Sequence, residues 1–192
     1  MKKNYFALLF IAFASIAAFA QTTVVRTTTT TTTNPQTTTY RALPTGHSGL
    51  NVGASFMLPV YELNDYASAG FSADVNYLMP VAPLLNMGIA SGYGVVYNDT
   101  DYIFDYYEKE DAQFIPVALA TRYVPTNQIE FGADFGYAIG VSDQFNGGFY
   151  YRPMIGFNLN EKIQLNLSYT GVSNNSWITW STLNFGFMFN LN

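Results

Sequence analysis

The sequence predicts an all-β chain: an eight-stranded antiparallel up-and-down barrel that crosses a membrane with its strands, behind an N-terminal signal peptide and a Thr-rich tether. Three observations predict it. Apolar and small polar residues alternate with period two in eight segments after Gly49. The polar face of that alternation is Gly, Ala, Ser and Asn rather than Lys and Glu; charged residues are 11% of the chain, against about 25% in ordinary soluble domains. After the first twenty residues no stretch can make a spanning helix, because the longest apolar run, near 78–85, is broken by Pro80 and Pro83.

The chain divides into three parts. In residues 1–20, Lys2 and Lys3 precede a nearly continuous apolar run over 5–17, and Ala18-Phe19-Ala20 precedes polar Gln21. That is the pattern of a secretory signal peptide. Residues 21–48 are Thr-rich, with an unbroken Thr run over 27–33. A polar tract has no core to offset its ordering entropy, so it reads as a flexible tether. His47 stands at its end beside Gly46 and Ser48. A lone loop histidine is expected to be solvated and to carry no chemistry. Residues 49–192 are the barrel.

Composition excludes several classes of function. The chain has no Cys, hence no disulfide framework and no thiolate metal site. One His cannot build a multi-histidine metal centre. No cofactor or metal is expected. A net charge of −5 argues against nucleic acid as a partner. Aromatics at 17% argue against disorder.

The segments follow in order. Over 50–58, Leu50, Val52, Ala54, Phe56 and Leu58 alternate with Asn51, Gly53, Ser55 and Met57. The second segment spans 71–77 and the third 85–95. The fourth spans 115–123 and carries Pro116. The fifth, over 129–142, sets Phe131, Phe135, Tyr137 and Ile139 against Glu130, Gly132, Asp134 and Gly136. The sixth spans 149–159 with Pro153 inside it; the seventh spans 163–170 and the eighth 183–192. A closed barrel has no free edge to host a proline, so Pro116 and Pro153 predict bulges or irregular pairing.

The polar face holds five charges: Asp74, Arg122, Glu130, Asp134 and Arg152. They line a narrow barrel better than they solvate a surface, so the large apolar residues face lipid. Strands four and five are neighbours, so Arg122 can reach Glu130 or Asp134 across their turn. Arg152, on strand six, can reach strand five from its other side. An interior salt-bridge network is expected.

The connections alternate short and long. Those over 81–84, 125–128 and 160–162 are short; those over 62–70, 98–112 and 143–148 are longer, and 171–176 is intermediate. Outer-membrane barrels have short periplasmic turns and longer external loops, which puts both mature termini in the periplasm. Tyr61, Tyr97, Tyr151, Tyr169 and Trp177 then fall at the outer rim, and Tyr77, Tyr123 and Phe189 at the inner one. The external loop over 98–112 carries Asp99, Asp101, Asp105, Glu108, Glu110 and Asp111 against one Lys109. Such a density of carboxylates is able to hold Ca²⁺, but the spacing is not that of an EF-hand. A solvated acidic loop is the simpler reading, and no metal is assigned. The same carboxylates suit divalent cations that bridge the loop to lipopolysaccharide phosphates.

With strand number, alternation, turn asymmetry and the aromatic last strand over 183–189, the chain resembles the eight-stranded outer-membrane β-barrel proteins, of the outer membrane protein A barrel and outer membrane protein X types. The resemblance covers 49–192. The chain departs from it at the end, where Asn192 stands in place of the aromatic residue that family members often carry. The resemblance implies a bacterial outer-membrane location, lipid and lipopolysaccharide as surroundings, and insertion by the barrel-assembly machinery.

The expected function is non-enzymatic: a structural or surface-interaction role, with the lumen plugged by side chains because eight strands leave little more room than that. The alternative is a small ion channel or ligand-binding barrel gated by the interior salt bridges. A lipid-modifying enzyme is weaker, since a Ser-His-acid site needs a positioned histidine and His47 precedes the barrel.

Overall fold

The computed structural model describes residues 46–61, 67–98, 111–142, 145–173 and 179–192. The expected signal peptide, most of the tether, Trp177 and the acidic loop other than Asp111 lie outside the described residues.

Eight strands form: β1 (Gly49–Pro59), β2 (Ala67–Ala82), β3 (Leu85–Asn98), β4 (Ala112–Tyr123), β5 (Ile129–Gly140), β6 (Gly148–Asn158), β7 (Ile163–Ser173) and β8 (Thr179–Asn190). Each pairs antiparallel with the next, and β8 pairs with β1, from Asn51↔Asn190 to Pro59↔Thr182, to close the barrel. β1 starts and β8 finishes at one end, the terminal end. The three short turns are also there, and the longer connections are at the opposite, loop end.

The alternation explains the faces. Phe71, Ile89, Leu119, Phe135, Phe157, Leu165 and Phe187 are exposed on the outside, while Asn51, Asn76, Glu130, Gln164 and Asn184 are buried inside. That inverts a soluble protein and fits a barrel in hydrocarbon. The wall is tight: a Cβ on Gly136 would lie 2.0 Å from the Val117 carbonyl oxygen. Tyr61, Tyr97, Tyr151 and Tyr169 lie toward the loop end, and Tyr77, Tyr123 and Phe189 toward the terminal end.

β2 is longer than the alternation over 71–77 predicts. Its ladder continues through Pro80, where the register shifts between Pro80 and Ala82; the proline sits where pairing is already irregular. The β2–β3 turn is Pro83-Leu84, with Leu84 at φ 64. The other two prolines share one device. Pro116 pairs with Ala138 on β5, while pairing with β3 lapses between Ser91↔Val117 and Gly94↔Phe114 and resumes in the same register. Pro153 pairs with Ala133 on β5, and pairing with β7 lapses between Tyr151↔Gly171 and Met154↔Ser168. Each proline keeps one ladder and interrupts the other, where it has no N–H to give. Pairing is therefore interrupted at both positions without an added residue.

Candidate functional site

Among the described residues charge gathers in the lumen, which is built in two layers. At the loop end the lining is apolar. Met57, Val96, Phe114, Tyr150 and Val172 form a buried cluster with Phe145, against which Trp180 packs. Phe145 comes from the connection between β5 and β6, not from the wall. A turn in which its N–H donates to the Ser142 carbonyl brings it back, and it ends 2% exposed. Its ring meets Phe114 at 5.7 Å and Trp180 edge-on at 5.1 Å. The length of 143–148 predicts an external loop; burial of an aromatic ring is the reason Phe145 instead turns inward.

Below that cluster lie the five charged residues expected inside. Arg122 Nη1 donates to Asp134 Oδ1 at 2.5 Å, and its Nε lies 3.6 Å from Glu130 Oε1. β4 and β5 place Gly132 opposite Arg122, so the two acids two residues to either side of Gly132, on the same face, both come within reach. Arg152 differs from expectation. It stands directly opposite Asp134 in the β5–β6 register, yet its carboxylate partner is Asp74 on β2, across the lumen. Nη1 donates to Asp74 Oδ1 at 2.8 Å and Nη2 to Oδ2 at 3.3 Å. Two causes act together. Asp134 is already engaged by Arg122, and Asp74 presents both oxygens to the planar guanidinium fork. Nε of Arg152 donates to Ser168 on β7 at 2.9 Å, and Nη2 to Ser55 on β1 at 3.1 Å. Ser55 and Ser72 donate in turn to Asp74 Oδ2 at 2.8 and 3.1 Å. One arginine thus ties four strands together through the middle of the barrel.

The terminal end carries an amide network that the sequence reading did not single out. Asn51 donates to Asn76 Oδ1 at 2.8 Å and to the His47 carbonyl at 3.0 Å. Asn190 donates to Asn51 Oδ1 at 2.9 Å and to the Ser48 carbonyl at 2.6 Å. Gln164 donates to Asn158 Oδ1 at 2.8 Å. The signal was present: asparagine recurs at inward positions near the terminal end of β1, β2, β3, β6, β7 and β8. His47 also corrects its expectation. It is 4% exposed rather than solvated, because the asparagines bond the backbone of 47 and 48 and its Nε2 reaches the Asn160 carbonyl at 3.1 Å. A cavity of about 20 Å³ remains among the charged residues and this amide network, room for a water molecule.

Of the acidic loop, only Asp111 is among the described residues, and it is partly buried beside the start of β4.

No protein-family model matches the sequence, and no curated protein matches it. Solved structures do match by shape. The Yersinia pestis outer membrane protein Ail in a phospholipid nanodisc superposes with a TM-score of 0.50 at 12% identity, over 74% of this chain and 98% of Ail. The fold is shared with Ail. A designed transmembrane β-barrel gives 0.49 at 14% identity, over 73% of this chain and 92% of the design. The outer membrane protein OprG of Pseudomonas aeruginosa gives 0.40 at 11% identity, over 77% of this chain and 98% of OprG. The closed β1–β8 barrel and its superposition on Ail give the chain the eight-stranded fold of an outer-membrane barrel.

Proposed function

We propose that the protein is a non-enzymatic integral protein of a bacterial outer membrane, with a structural or surface-interaction role and a lumen closed by its own side chains. The observation that carries this is the Arg152–Asp74 pair, which bridges the lumen beneath a buried aromatic cluster. A continuous water path past both layers needs at least one of them to move. The apolar exterior supports membrane residence, since a soluble barrel would expose polar groups on every strand. The orientation follows from the turns: the short connections and both barrel termini are periplasmic and the longer loops external. The acidic loop then faces lipopolysaccharide, and the barrel-assembly machinery inserts the chain. His47 is committed to the Asn160 carbonyl at the rim, away from any serine-activating role.

Planar-bilayer recording of the refolded protein tests the closed lumen: silence is expected, and discrete openings would favour the channel reading. Cysteine substitution at Lys109 and Lys162, with an impermeant maleimide on intact cells, tests orientation. Labelling at 109 alone is expected; labelling at 162 alone would invert the topology.

A further inference from the structure

Among the described residues the lumen contains more acid than base. Asp74, Glu130 and Asp134 stand against Arg122 and Arg152, each side chain at most 9% exposed. Three carboxylates against two guanidiniums leave one negative charge over. Asp74 and Asp134 each have a close arginine, at 2.8 and 2.5 Å. Among the described residues Glu130 has only the looser 3.6 Å approach of Arg122 Nε to Oε1, and its Oε2 has no hydrogen-bond partner. The surplus charge therefore resides at Glu130.

Two more buried groups near it are unpartnered. His47 Nε2 meets a carbonyl, which only accepts, so Nε2 is a donor, and in the neutral form of the ring Nδ1 then holds a lone pair. Among the described residues that Nδ1 is buried with no partner, as are both amide atoms of Asn166. His47, Glu130 and Asn166 line the same cavity. Gly46 keeps the space beside the carboxylate open: its φ is +58°, and a Cβ there would come 2.8 Å from Glu130 Oε2 and 2.7 Å from Val124 Cγ2. Unpaired buried charge is costly, and buried polar atoms are normally satisfied. This site asks for one positive charge no larger than a water molecule.

We propose that this cavity binds a single small monovalent cation from the solvent at the terminal end. Glu130 Oε2 and Asn166 Oδ1 supply the oxygens, and the lone pair of His47 Nδ1 in the neutral ring faces the cation. A divalent ion fits poorly, because only one carboxylate is uncommitted and a second positive charge would face Arg122. A proton and an inorganic monocation supply the same charge, and the experiment separates them. The titratable or charged groups sharing the cavity with Glu130 are His47, Asp74, Arg122, Asp134, Tyr150 and Arg152.

The test is thermal unfolding of the refolded full chain in detergent micelles, read by gel mobility. Sodium, potassium or ammonium chloride replaces N-methylglucamine chloride at fixed ionic strength and pH 8; separately, the pH is lowered to 6 in N-methylglucamine. Each tenfold rise in the bound cation above its dissociation constant should multiply the folded-to-unfolded ratio by about ten. A higher midpoint with small cations at pH 8 identifies an inorganic ion, and a higher midpoint only on lowering the pH identifies a proton. Either response should vanish in Glu130→Gln, whose midpoint in N-methylglucamine should not fall below that of the unaltered protein. The proposal is overturned if neither change raises the midpoint, or if Glu130→Gln keeps the response. It is also overturned if Glu130→Gln unfolds more easily or fails to refold, since that would make Glu130 an ordinary salt-bridge partner of Arg122.

Discussion

The two ends of the lumen solve the same packing problem with opposite chemistry. At the loop end, Phe114, Phe145, Tyr150 and Trp180 fill the space with rings. That layer is non-directional and gains stability from buried apolar area. At the terminal end, Asn51, Asn76, Asn190, Arg122 and Glu130 fill it with polar groups bonded in specific pairs. Those groups gain little net stability when paired but cost much when a partner is lost. The first layer should therefore tolerate change in proportion to volume, and the second in proportion to the polar atoms left unmatched.

Ways to break this contrast can be ranked. The largest effect is expected from Arg122→Ala, which strips both Asp134 and Glu130 of their guanidinium. Removing one partner of a buried pair costs about 3–5 kcal/mol, so urea unfolding in lipid vesicles should show at least that loss. A loss under about 1 kcal/mol would mean that the charges are hydrated and the lumen is wet. Phe114→Ala comes next. Truncating a buried Phe costs about 3–5 kcal/mol, toward the lower figure here because Phe145 sits beside it and can settle into the space. If this change also opens conductance in a bilayer while Arg122→Ala does not, the apolar layer is the tighter seal.

The exterior gives a control on both layers. Phe135 is exposed on β5, and an Arg there should cost about 2–4 kcal/mol at mid-membrane. A silent Phe135→Arg in refolding titrations would remove the lipid from around the barrel. Asn51→Ala is smaller: it frees Asn76 Oδ1 and the 46–48 segment and should cost about 1–3 kcal/mol for unsatisfied polar groups. Protease cutting near residue 47 is expected to rise with it. Leu84→Gly is smallest and opposite in sign. Leu84 holds φ 64 in the β2–β3 turn, and relief of a left-handed residue should stabilise by about 1 kcal/mol, seen as a higher urea midpoint.

Much of this molecule was determined by the sequence alone. Period-two alternation is a local property of the chain, so it specified eight strands, their order and the face each residue takes. Composition then decided which face is wet, because Gly, Ala, Ser and Asn pack inside a narrow barrel while Phe, Leu and Ile do not need to. The five interior charges could be named on the same ground. Tertiary structure alone decided who meets whom. Arg152 bonds Asp74, a residue 78 positions away, because barrel closure and stagger bring β6 and β2 face to face across the lumen. His47 is buried because Asn51 on β1, Asn190 on β8 and Asn192 beyond it converge on the backbone of 47 and 48. Phe145 turns inward because the loop end of the lumen offers two rings to pack against. None of these contacts has a period along the chain. Each depends on the diameter and shear of the closed barrel, which exist only once the last strand has paired with the first.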